Sequence, residues 1–483
     1  MTQIQIAQNL IGGEFVGTTS QSVIERPYPA DRRQVIAISP NSTGDDATEA
    51  IGAAVASWES WAHISASERM LIVERALDLL EADGENLAIL TVLESGKTLA
   101  ECRGEVLRSI TTVRFQVAAA ANAIDHEVFN EDGVSGRLQH PPVGVVVVIS
   151  PWNFPFSALL RKIVPALVMG NAVVAKPSEL SPVSAFRIGQ AFMEAGLPAG
   201  VLNIVHGYGA TVGGTLVDDE RVGAISFTGS TRVGLSIAEA TGRRDLKVQL
   251  EMGGKNPLVI LDDADIDQAV ADAVVGAFTA AGQWCVATSR IIVADRHFDQ
   301  VSAMMAARAR SLNVGDGLHQ GVEMGPLVSE AHLAKVTQAL ELASKSARVL
   351  AGGSPLTGDR YAFGNFVEPT VITDVADTRL IDEEIFGPVV SIHSATSVED
   401  AIELADSTEY GLSASVYTSS NESAQQFLNS VTFGKVSINR PPNFGDTRIA
   451  SGGRRNSGRG AGEGAESGLE FYSHERAVFI ASL

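Results

Sequence analysis

Cysteine is nearly absent: Cys102 and Cys285 are the only two among 483 residues. That excludes a disulfide framework, and no metal-ligand cluster surrounds either one, so no metal is expected. A reducing, cytoplasmic setting fits. Positive charge is also short, with 36 Lys and Arg against 57 Asp and Glu and a formal net charge of −21. Such a surface argues against nucleic acid or an anionic membrane as partner, although one local arginine can still hold a small anion. The most apolar run, 143–149, is far shorter than the roughly 20 residues of a membrane-spanning helix and reads as a buried strand. The N-terminus has no basic stretch leading into an apolar core, so no signal peptide is expected.

What is present is a globular composition, 45% apolar and 19% charged, in a chain long enough for two or three domains. Residues 9–40 read as short strands and turns, followed by helices near 45–61, 66–83 and 87–94. The last of these stops at Gly96, a C-cap glycine. Cys102 falls in the next helix, to about 123, and reads as a packed helix residue. Residues 124–142 are polar and suggest a projecting ribbon. Strands at 143–150, 171–176, 201–205, 224–227 and 247–251 then alternate with helices at 157–169, 185–195, 210–216 and 231–240. That alternation predicts an α/β fold with a doubly wound parallel sheet, whose ligands sit beyond the carboxyl ends of the strands. A second α/β region starts at 256, with a helix expected over 265–281. The glycine-rich run 451–464 is either close-packed or mobile.

The residues that carry chemistry sit where those strands end. Asn153 follows the first parallel strand, and Lys176 and Glu179 follow the second. Phe227-Thr228-Gly229-Ser230 leads into a helix, whose first amides suit a phosphate. Gly229 and Gly234 do not have the spacing of a generic dinucleotide fingerprint. Glu251 precedes paired glycines and Cys285 follows a stretch of small residues. A thiolate is a strong nucleophile and a carboxylate can activate water, so the two would serve a two-step covalent reaction. On chemistry alone, a solvated glutamate and a small core cysteine are the commoner case.

The order of the motifs decides between these readings. Pro151-Trp152-Asn153-Phe154-Pro155, Lys176-Pro177-Ser178-Glu179, Phe227-Thr228-Gly229-Ser230, Leu250-Glu251-Met252-Gly253-Gly254-Lys255, Gly282-Gln283-Trp284-Cys285 and Glu384-Ile385-Phe386-Gly387-Pro388 occur in that sequence. With them the chain resembles the NAD(P)-dependent aldehyde dehydrogenase superfamily over nearly its whole length. The resemblance implies a Rossmann-type cofactor domain (1–123 and 143–253), an α/β catalytic domain (254–467) and oligomerisation elements (124–142 and 468–483) of a homodimer or homotetramer. It implies Cys285 as nucleophile, Glu251 as the base that activates water, and the Asn153 amide with the Cys285 N–H as the oxyanion hole. It further implies that Lys176 and Glu179 hold the adenosine ribose, that Trp152, Phe227, Gly229 and Ser230 lie beside the pyrophosphate, and that Glu384 and Phe386 hold the nicotinamide end. The cofactor is NAD or NADP, and Glu179 favours NAD because a carboxylate on the ribose repels a 2′-phosphate.

The substrate would be a small-molecule aldehyde. Residues 248–265, Ile438-Asn439-Arg440-Pro441 and Leu469-Glu470-Phe471-Tyr472-Ser473 look most like the α-ketoglutarate-semialdehyde (2,5-dioxopentanoate) branch. Arg161 matches a position that binds a distal carboxylate there, and an exposed helix arginine is the competing reading. Two features depart from that branch. Trp284 stands where a cation is frequent and would suit an aromatic or medium-chain apolar aldehyde. Ala450-Ser451-Gly452-Gly453-Arg454-Arg455 replaces the usual Pro-Phe-Gly-Gly, and Arg454 and Arg455 would either greet an anion or be solvated. A CoA-acylating relative would not need Glu251, and a silent binding protein would not need Cys285, Asn153 and Glu251 together.

Overall fold

The computed structural model describes residues 4–481, Asn122 by its backbone only. Its centre is an eight-stranded sheet. Five strands, Lys247–Glu251, Ala224–Thr228, Val145–Ile149, Ala172–Lys176 and Leu202–Ile204, run parallel in that spatial order. The short Gly458–Arg459 closes one edge antiparallel, and the hairpin Asn9–Ile11 with Glu14–Val16 closes the other.

The apolar runs of Val145–Ile149 and 172–175 explain why these two segments are central strands. Successive side chains point to opposite faces, so only a strand covered on both faces is apolar at every position. Val146 and Val148 enter one core with helices Ala66–Ala82, Leu99–Ala123, Pro155–Val168 and Pro182–Glu194. Val145 and Val147 enter the opposite core with Gly44–His63 and Thr231–Thr241. All four valines are buried, each worth about 1.5–3 kcal/mol relative to exposure. Chain order reverses beside Val145–Ile149, which pairs with Ala172–Lys176 on one side and Ala224–Thr228 on the other. That reversal opens a crevice at the carboxyl ends of Val145–Ile149 and Ala224–Thr228.

A second sheet has seven strands in the order Arg348–Ala351, Thr370–Thr373, Val389–Ala395, Thr288–Ala294, Asn256–Ile260, Ser413–Tyr417 and Lys435–Ile438. All its pairings are parallel except that of Arg348–Ala351. Asp125–Glu131 and Val134–Gln139 form a ribbon that Arg476–Ala481 extends antiparallel. Residues 468–472 do not join that ribbon. They form a 3-10 turn, Ser467–Tyr472, with Leu469, Phe471 and Tyr472 buried in the first core. Helix Gly84–Ser95 ends at Gly96 with φ 80, and Cys102 is fully buried in its helix, both as expected.

One expected element is wrong in a way that matters. The helix expected over 265–281 stops at Phe278, and Thr279–Gly282 is a 3-10 turn. Ala280 (φ 53), Ala281 (φ 54) and Gly282 (φ 68) are all left-handed. Such a backbone disfavours alanine by roughly 1–2 kcal/mol per residue and survives only where the surroundings over-determine it. Here they do. Glu101 Oε1 accepts from the Ala280 N–H at 2.7 Å, and a Cβ at Gly282 would stand 2.2 Å from the Gly387 carbonyl oxygen.

Candidate active site

Glu251 ends its strand against the glycine-rich run. Its carbonyl accepts from the Gly229 N–H at 3.0 Å, and its Oε2 accepts from the Gly453 N–H at 3.1 Å. A Cβ at residue 452 would lie 2.9 Å from Glu251 Oε1, so only glycine lets the loop approach this closely. The run is therefore close-packed. Burial pushes the Glu251 carboxyl up to about 8, Glu463 adds to the shift, and Lys162, the Gly453 N–H and Arg161 oppose it.

Beneath Glu251 lies a polar floor that the sequence reading missed. Lys162, fully buried on helix Pro155–Val168, donates from Nζ to Ser226 Oγ at 2.9 Å and pairs with Glu463. Ser226 Oγ donates to Gln249 Oε1 at 2.7 Å, and Gln249 Nε2 donates to the Ala461 and Gly462 carbonyls at 3.2 and 3.3 Å. Glu463 also accepts from Thr228 Oγ1 at 3.3 Å. Burial opposes ionisation of Glu463, but Lys162 and Arg161 outweigh it and hold its carboxyl below the usual range. A signal for Lys162 existed: three and four residues away are Ala158, Leu159, Pro165 and Ala166, so a lysine interrupts an apolar helix face. Glu463 had none beyond being an acid in a glycine-rich run.

Cys285 follows the strained turn. Gln283 locks that turn by donating from Nε2 to the Ala280 carbonyl (3.0 Å) while its Oε1 accepts from the Val328 N–H (2.9 Å). Asn153 donates from Nδ2 to the Gln283 carbonyl at 2.9 Å, and Asn256 donates from Nδ2 to the Cys285 carbonyl at 2.8 Å. The thiol is partly buried. Burial pushes it up to about 12, the carboxylates of Glu384, Glu251 and Glu463 reinforce the shift, and Lys435 opposes it. The fold thus brings Asn153, Glu251, Cys285 and Glu384 to one place, at the facing ends of the two sheets.

The remaining expected residues line the crevice. Lys176 is buried, donates to the Pro177 carbonyl at 2.8 Å and stands 3.8 Å from the Glu179 carboxylate. Helix Thr231–Thr241 starts at Ser230 without a side-chain cap, which leaves its first amides for a ligand. Gly229 and Gly234 give way to Phe227, whose ring would lie 2.5 and 3.3 Å from a Cβ at either position. Trp152 packs edge-on against Phe386 at 5.5 Å, and His332, also unanticipated, lies tilted to Trp152 at 5.4 Å and edge-on to Phe386 at 6.1 Å, and bonds to the Phe386 carbonyl at 2.7 Å. Glu384 Oε1 accepts from the Gly254 N–H at 3.0 Å, and burial pushes its carboxyl to about 7. Buried lysine, adjacent carboxylate, uncapped helix start and glycine-lined crevice together fit a dinucleotide.

Arg161 lies half-buried in electrostatic contact with Glu251 and Glu463, and its buried Nε has no hydrogen-bond partner. Trp284 packs against Phe154 at 5.0 Å, over whose ring Lys97 Nζ sits at 3.8 Å. Arg455 is not free to greet an anion, because it pairs with Asp406 and donates to the Asp406 and Thr408 carbonyls at 3.0 and 2.9 Å. Among the described residues, no helix is long and apolar enough to cross a membrane.

Comparison with known proteins agrees with this geometry. The family model described as "Aldehyde dehydrogenase family" matches residues 15–478. An alpha-ketoglutaric semialdehyde dehydrogenase of Bacillus subtilis is 35% identical over 98% of this chain and 97% of its own. A phenylacetaldehyde dehydrogenase of Pseudomonas fluorescens is 36% identical over 98% and 96%. Among solved structures, betaine aldehyde dehydrogenase from Staphylococcus aureus in complex with NAD+ superposes with TM-score 0.94 at 32% identity, covering 99% of this chain and 95% of that one. With the family model spanning residues 15–478 and relatives above 30% identity over nearly the whole chain, this chain belongs to the aldehyde dehydrogenase family.

Proposed function

We propose that this enzyme oxidises a carboxylated semialdehyde, of the α-ketoglutarate or succinate semialdehyde type, to the dicarboxylic acid, with NAD(P)+ as cofactor. The observation that carries the reading is the convergence of Asn153, Cys285 and Glu251 at the ends of the two sheets. Cys285 releases its thiol proton to solvent, and its Sγ attacks the aldehyde carbon to form a thiohemiacetal. Asn153 keeps one Nδ2 hydrogen on the Gln283 carbonyl and offers the other, with the Cys285 N–H, to the oxyanion. Lys176, Glu179, Ser230 and Glu384 would hold NAD(P)+, which would supply the acceptor for the hydride that leaves this carbon. The thioester left on Cys285 is hydrolysed by water that gives its proton to Glu251. A carboxylate whose acid form is pushed up to about 8 is a stronger base than an ordinary glutamate once deprotonated, so it works best near and above that pH.

Lys176 and Glu179 would hold the adenosine ribose, with Glu179 favouring NAD. The uncapped helix start at Ser230, with Gly229, Phe227 and Trp152 beside it, would take the pyrophosphate. Glu384 and Phe386 would hold the nicotinamide end. A homodimer or homotetramer is supported by the ribbon sheet, where Val128 (63%), Phe479 (70%) and Ile480 (50%) are exposed. Two free cysteines suit a cytoplasmic setting.

Arg161, with its unpartnered Nε, supports the carboxylate reading. The Trp284–Phe154 pair favours a second reading, an aromatic or medium-chain apolar aldehyde. Steady-state kcat/KM over both aldehyde classes separates them. Cys285→Ala is expected to lower NADH formation by at least about 10⁴-fold, the scale seen when a nucleophile is removed. A Cys285→Ala enzyme that kept most of its turnover would sink the mechanism.

A further inference from the structure

Lys435 opens the edge strand Lys435–Ile438 of the second sheet, and no motif drew attention to it. It sits opposite Ser413 in register, and its own N–H donates to the Leu412 carbonyl at 3.1 Å. The Ser413 N–H donates to Asn256 Oδ1 at 3.1 Å, and Asn256 is the residue whose amide holds the Cys285 carbonyl. Gly434, one residue earlier, is pressed against the backbone of residues 452 and 453, and the Gly453 N–H is the donor to Glu251. Lys435 therefore stands between the segment that carries Cys285 and the loop that holds Glu251.

Its charge is uncompensated. Among the described residues, the Lys435 ammonium has no hydrogen bond or ion pair, and neither does the Arg161 guanidinium. The fully buried lysines near the site are all engaged. Lys162 pairs with Glu463, Lys97 with Glu105 and Lys176 with Glu179, and Lys255 donates to the Leu380 and Glu383 carbonyls. Burial lowers Lys435 to about 8, the Cys285 thiol raises it and Arg161 lowers it further. The groups facing the thiol besides Lys435 are the carboxylates of Glu384, Glu251 and Glu463. Two like charges, half-buried and within electrostatic reach of each other, are unfavourable until an anion sits between them.

We propose that Lys435 is a second specificity-determining cation, which with Arg161 brackets the distal carboxylate of the aldehyde while the carbonyl carbon meets Cys285. This rests on the reading of Cys285 as the nucleophile of a carboxylate-bearing substrate. The test is kcat/KM for succinic semialdehyde and for butanal, an uncharged aldehyde of equal length, in wild type, Arg161→Met, Lys435→Met and Lys435→Arg. Using the ratio of the two substrates cancels any general loss of folding. Lys435→Met should lower the ratio at least tenfold, mainly through KM of the semialdehyde, and Lys435→Arg should restore most of it. A ratio within twofold of wild type in Lys435→Met, including an equal loss on both substrates, overturns the assignment. If Arg161→Met lowers the ratio and Lys435→Met does not, Lys435 alone is misassigned. A wild-type enzyme with no preference for the charged substrate would overturn both this and the carboxylate reading.

Discussion

The floor of the site and its wall treat charge in opposite ways. In the floor, Lys162 and Glu463 neutralise each other, and Ser226, Gln249 and Thr228 use the remaining hydrogen-bonding capacity. In the wall, Arg161 and Lys435 make no hydrogen bond or ion pair among the described residues, although Glu251 and Glu463 lie within electrostatic reach of Arg161. A buried pair with its hydrogen bonds complete is fixed structure and sets the field in which Glu251 titrates. An unpaired, half-buried cation destabilises the empty site and is relieved by an anionic ligand. The difference separates residues that tune the chemistry from residues that choose the substrate.

The largest expected effect falls on the group that the floor tunes. Glu251→Gln should slow thioester hydrolysis by about 10²–10⁴-fold. Formation of the thioester should continue, so rapid mixing should show a burst of NADH followed by a very slow steady state. In wild type the base works deprotonated. With its carboxyl at about 8, hydrolysis should fall as pH drops below that value and level off above it. A hydrolysis rate flat from pH 6 to 9 would separate Glu251 from the water-activating step.

Next comes the floor itself. Lys162→Met leaves Glu463 buried without its partner and should destabilise the protein by about 3–5 kcal/mol. Lys162 also lowers the Glu251 carboxyl, so the acid limb of the rate profile should move to higher pH. Glu463→Gln removes a group that raises Glu251, and its acid limb should move the other way. Opposite shifts, read from stopped-flow hydrolysis rates, are the signature of electrostatic tuning. Parallel shifts would reduce the floor to packing.

How much of this was legible follows the same division. The central strands announce themselves because a segment buried on both faces has to be apolar at every position, as 145–148 is. Asn153, Lys176 and Ser230 were readable because each stands just beyond such a strand. The turn before Cys285 was not. Alanine at 280 and 281 continues the helical pattern, and its left-handed backbone is imposed by Glu101 and Gly387, which are remote in sequence. Glu463 lies in a run without periodicity, and Lys162 was overlooked beside Arg161 although its neighbours put it on the apolar face. Lys435 opens a strand as an ordinary polar residue does, and only the pairing with Ser413 shows where it stands.

The smallest expected effect is the most direct control on the comparison. Arg455 is a cation in the same loop that holds Glu251, and by sequence alone it would either greet an anion or be solvated. The structure pairs it with Asp406 and two carbonyls, in a partly exposed setting. If pairing is what removes a cation from substrate choice, Arg455→Ala should cost about 1 kcal/mol of stability or less. The semialdehyde-to-butanal ratio of kcat/KM should then stay within twofold of wild type. A fall as large as that expected for Lys435→Met would mean that the Asp406 pair opens when substrate arrives, and that charge pairing in the free enzyme does not sort these arginines by role.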